Sequence, residues 1–233
     1  MKDSLYFCIV LNDMSMKAFF KSIVSFICYI VSFIYPYKLH YSMKRAASRL
    51  RSYWVRREFA QCSNNVLLGK RPVLHGMKCI SIGDSTFIGD HVTLTAWPES
   101  SGSQAPSIVI GSGCSIGDFN HISAVNRIII GDNLLTGKWV SIIDNSHGHS
   151  IYDDTNQPPL ERDITSKGPI VIGNNVWIGD KVTILPGVSI GDGVVIGANS
   201  VITKNVPSNS VVAGVPARII KQSSKERNDR LPE

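Results

Sequence analysis

The chain has 233 residues, of which 43% are hydrophobic and 18% charged, an ordinary globular composition that argues against general disorder. Its length suits one well-buried domain with appendages. A net charge of +6 would suit a nucleic-acid binder, but seven basic and no acidic residues lie between Pro36 and Arg57, and the rest of the chain sums to −1. The basicity therefore belongs to one segment, and we expect no nucleic-acid partner.

The five cysteines are scattered and lie at least seventeen residues apart, so neither a CxxC metal clamp nor a disulfide framework is visible. This pattern is typical of a protein kept in a reducing cytosol, and we expect a cytoplasmic location.

Residues 1–60 read as a helical extension. Residues 19–35 are apolar except for Lys21, but about seventeen residues is short for a membrane span. No small-residue cleavage site follows, which argues against a signal peptide. Leu39, Met43, Leu50 and Trp54 then recur at helical spacing beside several arginines, as in a basic amphipathic helix. Two interpretations stay open: residues 19–57 contact the inner face of the cytoplasmic membrane peripherally, or they pack on the domain or in a trimer contact.

An internal repeat of six residues dominates the remainder. Fifteen positions share one register and all but Thr136 are aliphatic; they are Ile82, Ile88, Leu94, Ile110, Ile116, Ile122, Ile130, Thr136, Ile142, Ile172, Ile178, Ile184, Ile190, Ile196 and Ile202. Three hexapeptides make one triangular coil, so the pattern predicts five coils of parallel β-helix, with 66–74 as a partial coil in front. Each hexapeptide supplies one short strand and one tight corner, where Gly or a small polar residue gives the backbone freedom required.

The period does not determine the handedness of the winding, and a resemblance supplies it. The run GPIVIGNNVWIGDKVTILPGVSIGDGVVIGANSVITKNVPSNSVVAGVPARIIK, from Gly168 to Lys221, resembles the hexapeptide-repeat acyltransferases. It is similar to the maltose, galactoside and xenobiotic acetyltransferases almost position by position. The resemblance implies an all-β, left-handed parallel β-helix, an exception to the right-handed rule for parallel crossovers. We assign 61–221 to this domain and 222–233 to a disordered tail.

Three insertions interrupt the repeat, and insertions into a solenoid form surface loops, often on the functional face. They are residues 95–107, two extra residues between Ile122 and Ile130, and the long loop 143–168. In the resembling acetyltransferases a catalytic His begins an extruded loop about 25 residues before the IGxxVWIG run. His147 lies 25 residues before Ile172 and takes that role here, with His149 in reserve.

Acyl transfer from a thioester to a hydroxyl needs a base, and a neutral imidazole suits this task near neutral pH. His147 would accept the proton of the acceptor hydroxyl and pass it to the departing thiolate. Asp144, Asn145 and Asn120 are weaker candidates for orienting the imidazole or binding the acceptor.

The resemblance also implies acetyl-CoA as cosubstrate, a homotrimer, and a CoA groove between two subunits. The backbone near Gly179, Asp180 and Ala198 would contact the pantetheine arm, while Thr203, Lys204, Arg218 and Lys221 match the family's phosphate-binding positions. No metal is expected.

The preferred function is O-acetylation of a sugar hydroxyl on a surface polysaccharide or lipid-linked oligosaccharide precursor, because the apolar and basic front segment favours an acceptor near a membrane. Acetylation of a xenobiotic such as an antibiotic is the alternative. A γ-type carbonic anhydrase needs three His ligands on zinc, with four residues between its characteristic pair, whereas one separates His147 from His149. A non-catalytic scaffold on the same fold is the remaining possibility.

Overall fold

The structure is a computed structural model, described here for residues 2–98, 107–148 and 157–222. It divides into two compact units, residues 1–47 and residues 48–233. The first unit holds helix α1 (Lys2–Ile34) and the beginning of helix α2 (Tyr37–Val55). The helices are separated at Pro36, which cannot continue the hydrogen-bond ladder of α1.

In α1, the segment Met16–Ile34 is long and apolar enough to cross a membrane, and none of it is buried within the structure. The sequence-based estimate of about seventeen residues placed it just below the length of a span. The apolar segment begins earlier than that estimate assumed, because it extends back across Lys17 to Met16.

The second unit is a three-sided parallel β-helix. Its strands follow one another in chain order as β1 (Gln61–Cys62), β2 (Leu67–Leu68), β3 (Val73–His75), β4 (Ile80–Ile82), β5 (Phe87–Ile88), β6 (Thr93–Ala96), β7 (Ser107–Ile110), β8 (Ser115–Ile116), β9 (His121–Ala124), β10 (Arg127–Ile130), β11 (Leu135–Thr136), β12 (Ser141–Ile143), β13 (Ser146–His147), β14 (Ile164–Thr165), β15 (Ile170–Ile172), β16 (Trp177–Ile178), β17 (Thr183–Ile184), β18 (Ser189–Ile190), β19 (Val195–Ile196), β20 (Val201–Ile202), β21 (Ser210–Gly214) and β22 (Ala217–Gln222).

Three parallel sheets form the faces of the prism. Face A has the order β1-β4-β7-β10-β15-β18, face B has β2-β5-β8-β11-β16-β19-β21-β22, and face C has β20-β17-β12-β9-β6-β3. The inward side chains, such as Ile82, Ile110 and Ile130 on face A, are stacked in register and buried. Their burial in one continuous core is what holds the coils together.

The described residues contain six complete coils, one more than the sequence predicted. In the additional first coil, Cys62, Leu68 and Leu74 pair with Ile82, Ile88 and Leu94 of the next. The repeat hides this coil because a short 3₁₀ turn at Met77–Cys79 adds two residues between β3 and β4. The partial coil expected at 66–74 is thus the greater part of a full one.

Two of the three edges are closed by ladders of polar side chains. On the AB edge, which joins face A to face B, Ser112 N–H donates to Asp132 Oδ1 at 2.7 Å and Asp132 N–H to Asn174 Oδ1 at 2.8 Å. On the BC edge, Lys138 N–H donates to Asp180 Oδ1 at 2.7 Å. Each such side chain satisfies a backbone donor of the preceding coil where the strand hydrogen bonds end.

The corners of the BC edge differ from the sequence expectation of Gly or small polar residues. Phe119 and Trp139 occupy left-handed backbone conformations, with φ of 60° and 62°. Their rings stack with centroids 4.3 Å apart, and Phe119 stacks in turn on His91 at 5.0 Å. Ring stacking of this kind offsets part of the cost of a left-handed conformation in a bulky residue.

Both ends of the β-helix are covered. At the front, Ser48 Oγ and Arg51 Nη1 of α2 donate to Leu68 O at 2.6 and 2.8 Å, and Leu68 N–H donates to Ser52 Oγ at 2.9 Å. At the other end, β22 runs antiparallel to β21 and covers its free edge. The compact unit therefore begins at Ser48, whereas the sequence placed the boundary at residue 60. Of the predicted tail, Gln222 ends β22, and 223–233 lie outside the described residues.

Candidate active site

All three insertions leave the prism at the same edge, where face C passes to face A; we call this the insertion edge. The first follows β6, the two extra residues follow β9, and the long loop follows β12. Because β6, β9 and β12 are neighbours on face C, the insertions lie one above the other along the edge. The other two edges keep the six-residue repeat from the second coil onward. The departures from the repeat are therefore concentrated on the insertion edge.

His147 lies in the stem of the long loop, which leaves the prism as an antiparallel hairpin. Strand β13 pairs with β14 so that His147 is opposite Ile164 and Ser146 opposite Thr165. Gly148 N–H donates to Asp163 O at 2.8 Å, and Thr165 Oγ1 donates to Gly148 O at 3.2 Å. The hairpin fixes the backbone of His147, and its side chain stays exposed.

The loop returns to the prism at a glycine pair. Gly187 N–H donates to Gly168 O at 3.1 Å, and a Cβ on Gly187 would lie 3.2 Å from Lys167 O. Gly187 also has φ of +78°, a conformation that favours glycine. The long loop is therefore held at both of its ends.

Asp144 supports the edge rather than the imidazole. It is completely buried, and its carboxylate accepts Val125 N–H at 2.8 Å, Asn126 N–H at 3.0 Å and Asn145 Nδ2 at 3.2 Å. Val125 and Asn126 lie in the second insertion, between β9 and β10. The Asp144 carboxylate therefore binds the backbone of that insertion. The sequence-based role of orienting His147 is replaced by this one, because a buried carboxylate needs such partners.

Asn145 is half-buried and bridges the same region. Its Nδ2 donates to Ser123 O at 3.3 Å as well as to Asp144. It therefore ties the first residue of the loop stem to the coil beneath. His149, the reserve candidate, lies outside the described residues.

Asn120 was a candidate for acceptor binding, but its amide is used inside the coil. Its Oδ1 accepts Val140 N–H at 2.7 Å and its Nδ2 donates to Thr136 Oγ1, which also accepts Gly117 N–H at 2.9 Å. Both Asn120 and Thr136 are buried. This pair explains why the repeat has a polar residue at position 136, and both polar atoms of the Asn120 amide are hydrogen-bonded within the coils.

The sequence reading missed an aromatic group on the insertion edge. Trp97 begins the first insertion, its ring lies 4.3 Å from that of His75, and its Nε1 donates to Ser123 Oγ at 3.2 Å. Ser123 is buried and also bonds Thr95 Oγ1 at 3.1 Å. Ser123 thus links Trp97 to Asn145, two residues before His147. The sequence signal that could have identified it is a Trp directly after a face C strand, at the start of an insertion.

Three of the predicted CoA residues line one groove. Thr203, Lys204 and Arg218 border a groove of about 350 Å³ between the end of β20 and the start of β22, with Ile202, Asn205, Val206, Val212, Ala217 and Ile219. Thr203 and Lys204 follow a face C strand, as His147 does, two coils further along. At about 4.8 Å per coil, roughly 10 Å of the insertion edge separates the two levels.

The other predicted CoA residues are not brought to this groove. Gly179, Asp180 and Ala198 are stacked on the BC edge, where a Cβ on Gly179 would lie 2.6 Å from Ala198 N and where Asp180 caps Lys138. Lys221 lies on β22 opposite Val211 and does not line the groove. Face C separates the two sets within one chain.

Within the part of the chain that the structure describes, no three His, Cys, Asp or Glu side chains cluster as metal ligands would.

The comparisons with known proteins agree with this architecture. Residues 169–204 match the family model described as bacterial transferase hexapeptide (six repeats). AntD, an N-acyltransferase from Bacillus cereus solved with dTDP and 3-hydroxybutyryl-CoA, aligns with a TM-score of 0.60 at 22% identity, over 74% of this chain and 87% of that one. At this identity the likeness concerns the fold alone, and the expected left-handed parallel β-helix is confirmed.

Two curated relatives are similar in sequence. WbbJ of Escherichia coli K12, whose name assigns it to O-acetyl transfer in lipopolysaccharide biosynthesis, is 42% identical over 123 residues, which are 51% of this chain and 62% of WbbJ. The galactoside O-acetyltransferase of the same strain is 44% identical over 108 residues, 44% of this chain and 46% of that protein. The chain thus spans less than two thirds of the length of either relative.

Proposed function

The chain belongs to the hexapeptide-repeat family of bacterial transferases, and from this premise we propose that it transfers an acetyl group from acetyl-CoA to a hydroxyl group, with His147 as the catalytic base. The observation that carries the proposal is that Thr203 and Lys204, which line a groove with Arg218 of β22, follow a face C strand on the same edge as His147. A base and a site for a phosphorylated cosubstrate are the two parts that this reaction needs.

In the proposed reaction, His147 accepts the proton of the acceptor hydroxyl as its oxygen attacks the thioester carbonyl. The carbon–sulfur bond then breaks, and the proton passes to the departing thiolate. The exposed ring on a fixed hairpin suits this task, since a base must reach the substrate yet keep its position. Lys204 and Arg218 are the cations that would hold phosphate groups of acetyl-CoA.

We include a homotrimer in the proposal. Gly179, Asp180 and Ala198 lie on the BC edge, whereas His147 and Lys204 lie on the insertion edge. A groove that uses both sets is formed most simply where the insertion edge of one copy meets the BC edge of the next. The rotational symmetry of a closed ring gives three such grooves.

The proposed acceptor is a sugar hydroxyl on a surface polysaccharide or a lipid-linked precursor, on the cytoplasmic side of the membrane that residues 19–57 contact. Support comes from the names of WbbJ and the galactoside enzyme, and from the apolar and basic front segment. O-acetyl groups of the surface glycan, measured by NMR in deletion and parent strains, test the acceptor class. Unchanged acetylation would reject it and favour a xenobiotic acceptor.

The base is tested by His147→Ala. We expect the rate of acetyl transfer to fall by about 10² to 10⁴, the usual contribution of a general base, while the trimer and thermal unfolding stay unchanged because the ring is exposed. The matched control is His121→Gln, which alters a partly exposed His on face C outside the insertion edge. A His147→Ala protein that keeps its rate would reject the proposal.

A further inference from the structure

The apolar part of α1 is exposed on every side. The exposed fractions of Ile23, Val24, Phe26 and Ile27 are 39%, 55%, 65% and 53%. Successive helical residues point about 100° apart, so these four positions together with the exposed Cys28 and Tyr29 surround the helix axis. A helix of a soluble core would be buried on at least one face, whereas this segment has no burial at all. Its apolar surface needs surroundings that the protein itself does not provide.

The length and the flanks of this segment match a bilayer. The 19 residues of Met16–Ile34 extend about 28 Å at 1.5 Å per residue, close to the roughly 30 Å of a hydrocarbon core. Lys17 and Lys21 lie near one end, where long side chains reach back to the headgroups. Tyr35, Tyr37 and Tyr41 follow the other end, as in an interfacial aromatic belt.

The charge on the two sides is unequal. Seven basic and no acidic residues lie in 36–57, after the apolar segment, whereas residues 1–21 hold three Lys and two Asp. Basic residues accumulate on the cytoplasmic side of membrane helices. This asymmetry directs the N-terminus outward and leaves the β-helix in the cytoplasm.

Helix α2 packs on the β-helix with its polar face and exposes its apolar face, the opposite of a helix that packs on a soluble domain. The side that packs on the first coil is polar, with Ser48 and Ser52 only 8% and 5% exposed. The opposite side is apolar and free, with Leu50 and Trp54 exposed by 70% and 82%. Positions two apart, such as 48 and 50, lie about 200° apart on a helix, so the two faces are opposite each other.

The free apolar stripe of α2 continues toward α1. Leu39 and Met43, at 43% and 53% exposure, share the face of Leu50 and Trp54. Lys44 and Arg49 lie on either side of this stripe, each about 80° from its nearest member, and both are exposed. An apolar stripe flanked by cations is the pattern of a helix that lies in the surface of an anionic membrane.

We propose that α1 crosses the cytoplasmic membrane once, and that the apolar stripe of α2 (Leu39, Met43, Leu50 and Trp54) lies in the headgroup layer of its anionic inner leaflet. The hydrogen bonds of Ser48, Arg51 and Ser52 with Leu68 then fix the first coil of the β-helix to the membrane-bound helix α2. The inference rests on the helices and stands or falls separately from acetyl transfer.

The span is tested on the full chain in membranes of a bacterial expression host. The protein stays in the membrane pellet after washes with high salt and with alkaline carbonate. The double variant Ile27→Lys and Ile30→Lys loses this retention, whereas Leu160→Lys, which alters an 89% exposed residue of the β-helix unit, keeps it. Release of the unaltered chain by carbonate rejects the span. A carbonate-soluble oligomer that the double variant dissociates would replace the lipid with a second copy of the chain.

The orientation is tested with epitopes at the two termini, which remains informative where the double variant fails to fold. Protease added to intact spheroplasts removes the N-terminal epitope and leaves the C-terminal one until the cells are lysed. The reverse result, or protection of both epitopes, contradicts the orientation.

The seat of α2 is tested by quenching with brominated lipid in phosphatidylglycerol vesicles. Quenching of tryptophan emission is present in the full chain and lost in Trp54→Phe. It is retained in Trp177→Phe, which alters a Trp that is 54% exposed on face B. Quenching that survives Trp54→Phe, or that is as strong in purely zwitterionic vesicles, overturns this part of the proposal.

Discussion

The AB edge and the insertion edge stabilise the corners between successive strands in different ways. Along the AB edge, coil after coil places one side chain, such as Asp132 or Asn174, on a backbone N–H of the preceding coil. Along the insertion edge the corners are filled by a hairpin, by a glycine pair and by a buried carboxylate. On the AB edge the polar side chains at the corners are used to cap backbone N–H groups, so they serve the stability of the fold. The insertion edge, where Asn205 provides one such contact by accepting Ser189 N–H at 2.8 Å, is the edge that holds His147 and Lys204.

The largest expected effect breaks the insertion edge at its buried carboxylate. Asp144→Ala leaves Val125 N–H and Asn126 N–H without an acceptor, and we expect the free energy of unfolding to fall by about 3 to 5 kcal/mol. The matched control is Asp132→Ala on the AB edge, where an exposed carboxylate caps Ser112 N–H and the loss should be about 1 kcal/mol or less. Urea unfolding measures both, and equal losses would contradict the contrast between the edges.

A smaller effect concerns the groove. Removing the cation in Lys204→Ala should raise KM for acetyl-CoA about tenfold with little change in kcat, as expected for one charge-assisted contact. Lys78→Ala in the first coil, where the ammonium donates to Arg57 O at 2.8 Å, should leave KM unchanged. Steady-state kinetics separates the two variants, and a KM that moves equally in both would place the cosubstrate elsewhere.

The smallest effect is a pH dependence on face C. Partial burial lowers the pKa of His121 below its ordinary value. As pH falls through about 6.5, the unfolded chain gains this proton first, so the free energy of unfolding decreases until the folded pKa is passed. His121→Gln should therefore lose less stability than the unaltered chain between neutral and mildly acidic pH. Urea unfolding of both proteins at neutral and at mildly acidic pH measures these losses. Equal losses in His121→Gln and the unaltered chain would show that the His121 imidazole does not contribute.

The sequence was informative wherever the structure repeats. The six-residue period predicted the coils, the inward positions and the places of all three insertions, because burial of one aliphatic side chain per hexapeptide leaves a direct trace. It missed the first full coil, since the turn at Met77–Cys79 shifts the register by two residues. The N-terminal apolar segment was read as short for a span because it was counted from Phe19, whereas it extends across Lys17 to Met16.

Local spacing was a poor guide to the partners of individual polar residues. Asp144 lies three residues before His147, yet its carboxylate bonds Val125 and Asn126 from the preceding coil. Asn120 likewise bonds Val140 and Thr136 of the following coil. Contacts between coils join residues about twenty positions apart, so neighbourhood in the chain does not report them. The role of His147 and the acceptor class stay predictions.

Chemical rescue tests the central claim most directly. In His147→Ala, the lost imidazole is supplied from solution, and acetyl transfer should rise with added imidazole while the unaltered chain and His121→Gln do not respond. The signal is the release of free CoA thiol from acetyl-CoA in the presence of a sugar acceptor. Recovery that saturates with imidazole is the result that the account predicts. A His147→Ala protein that is as active as the unaltered chain, or that stays inactive at every imidazole concentration while still binding acetyl-CoA, would contradict it.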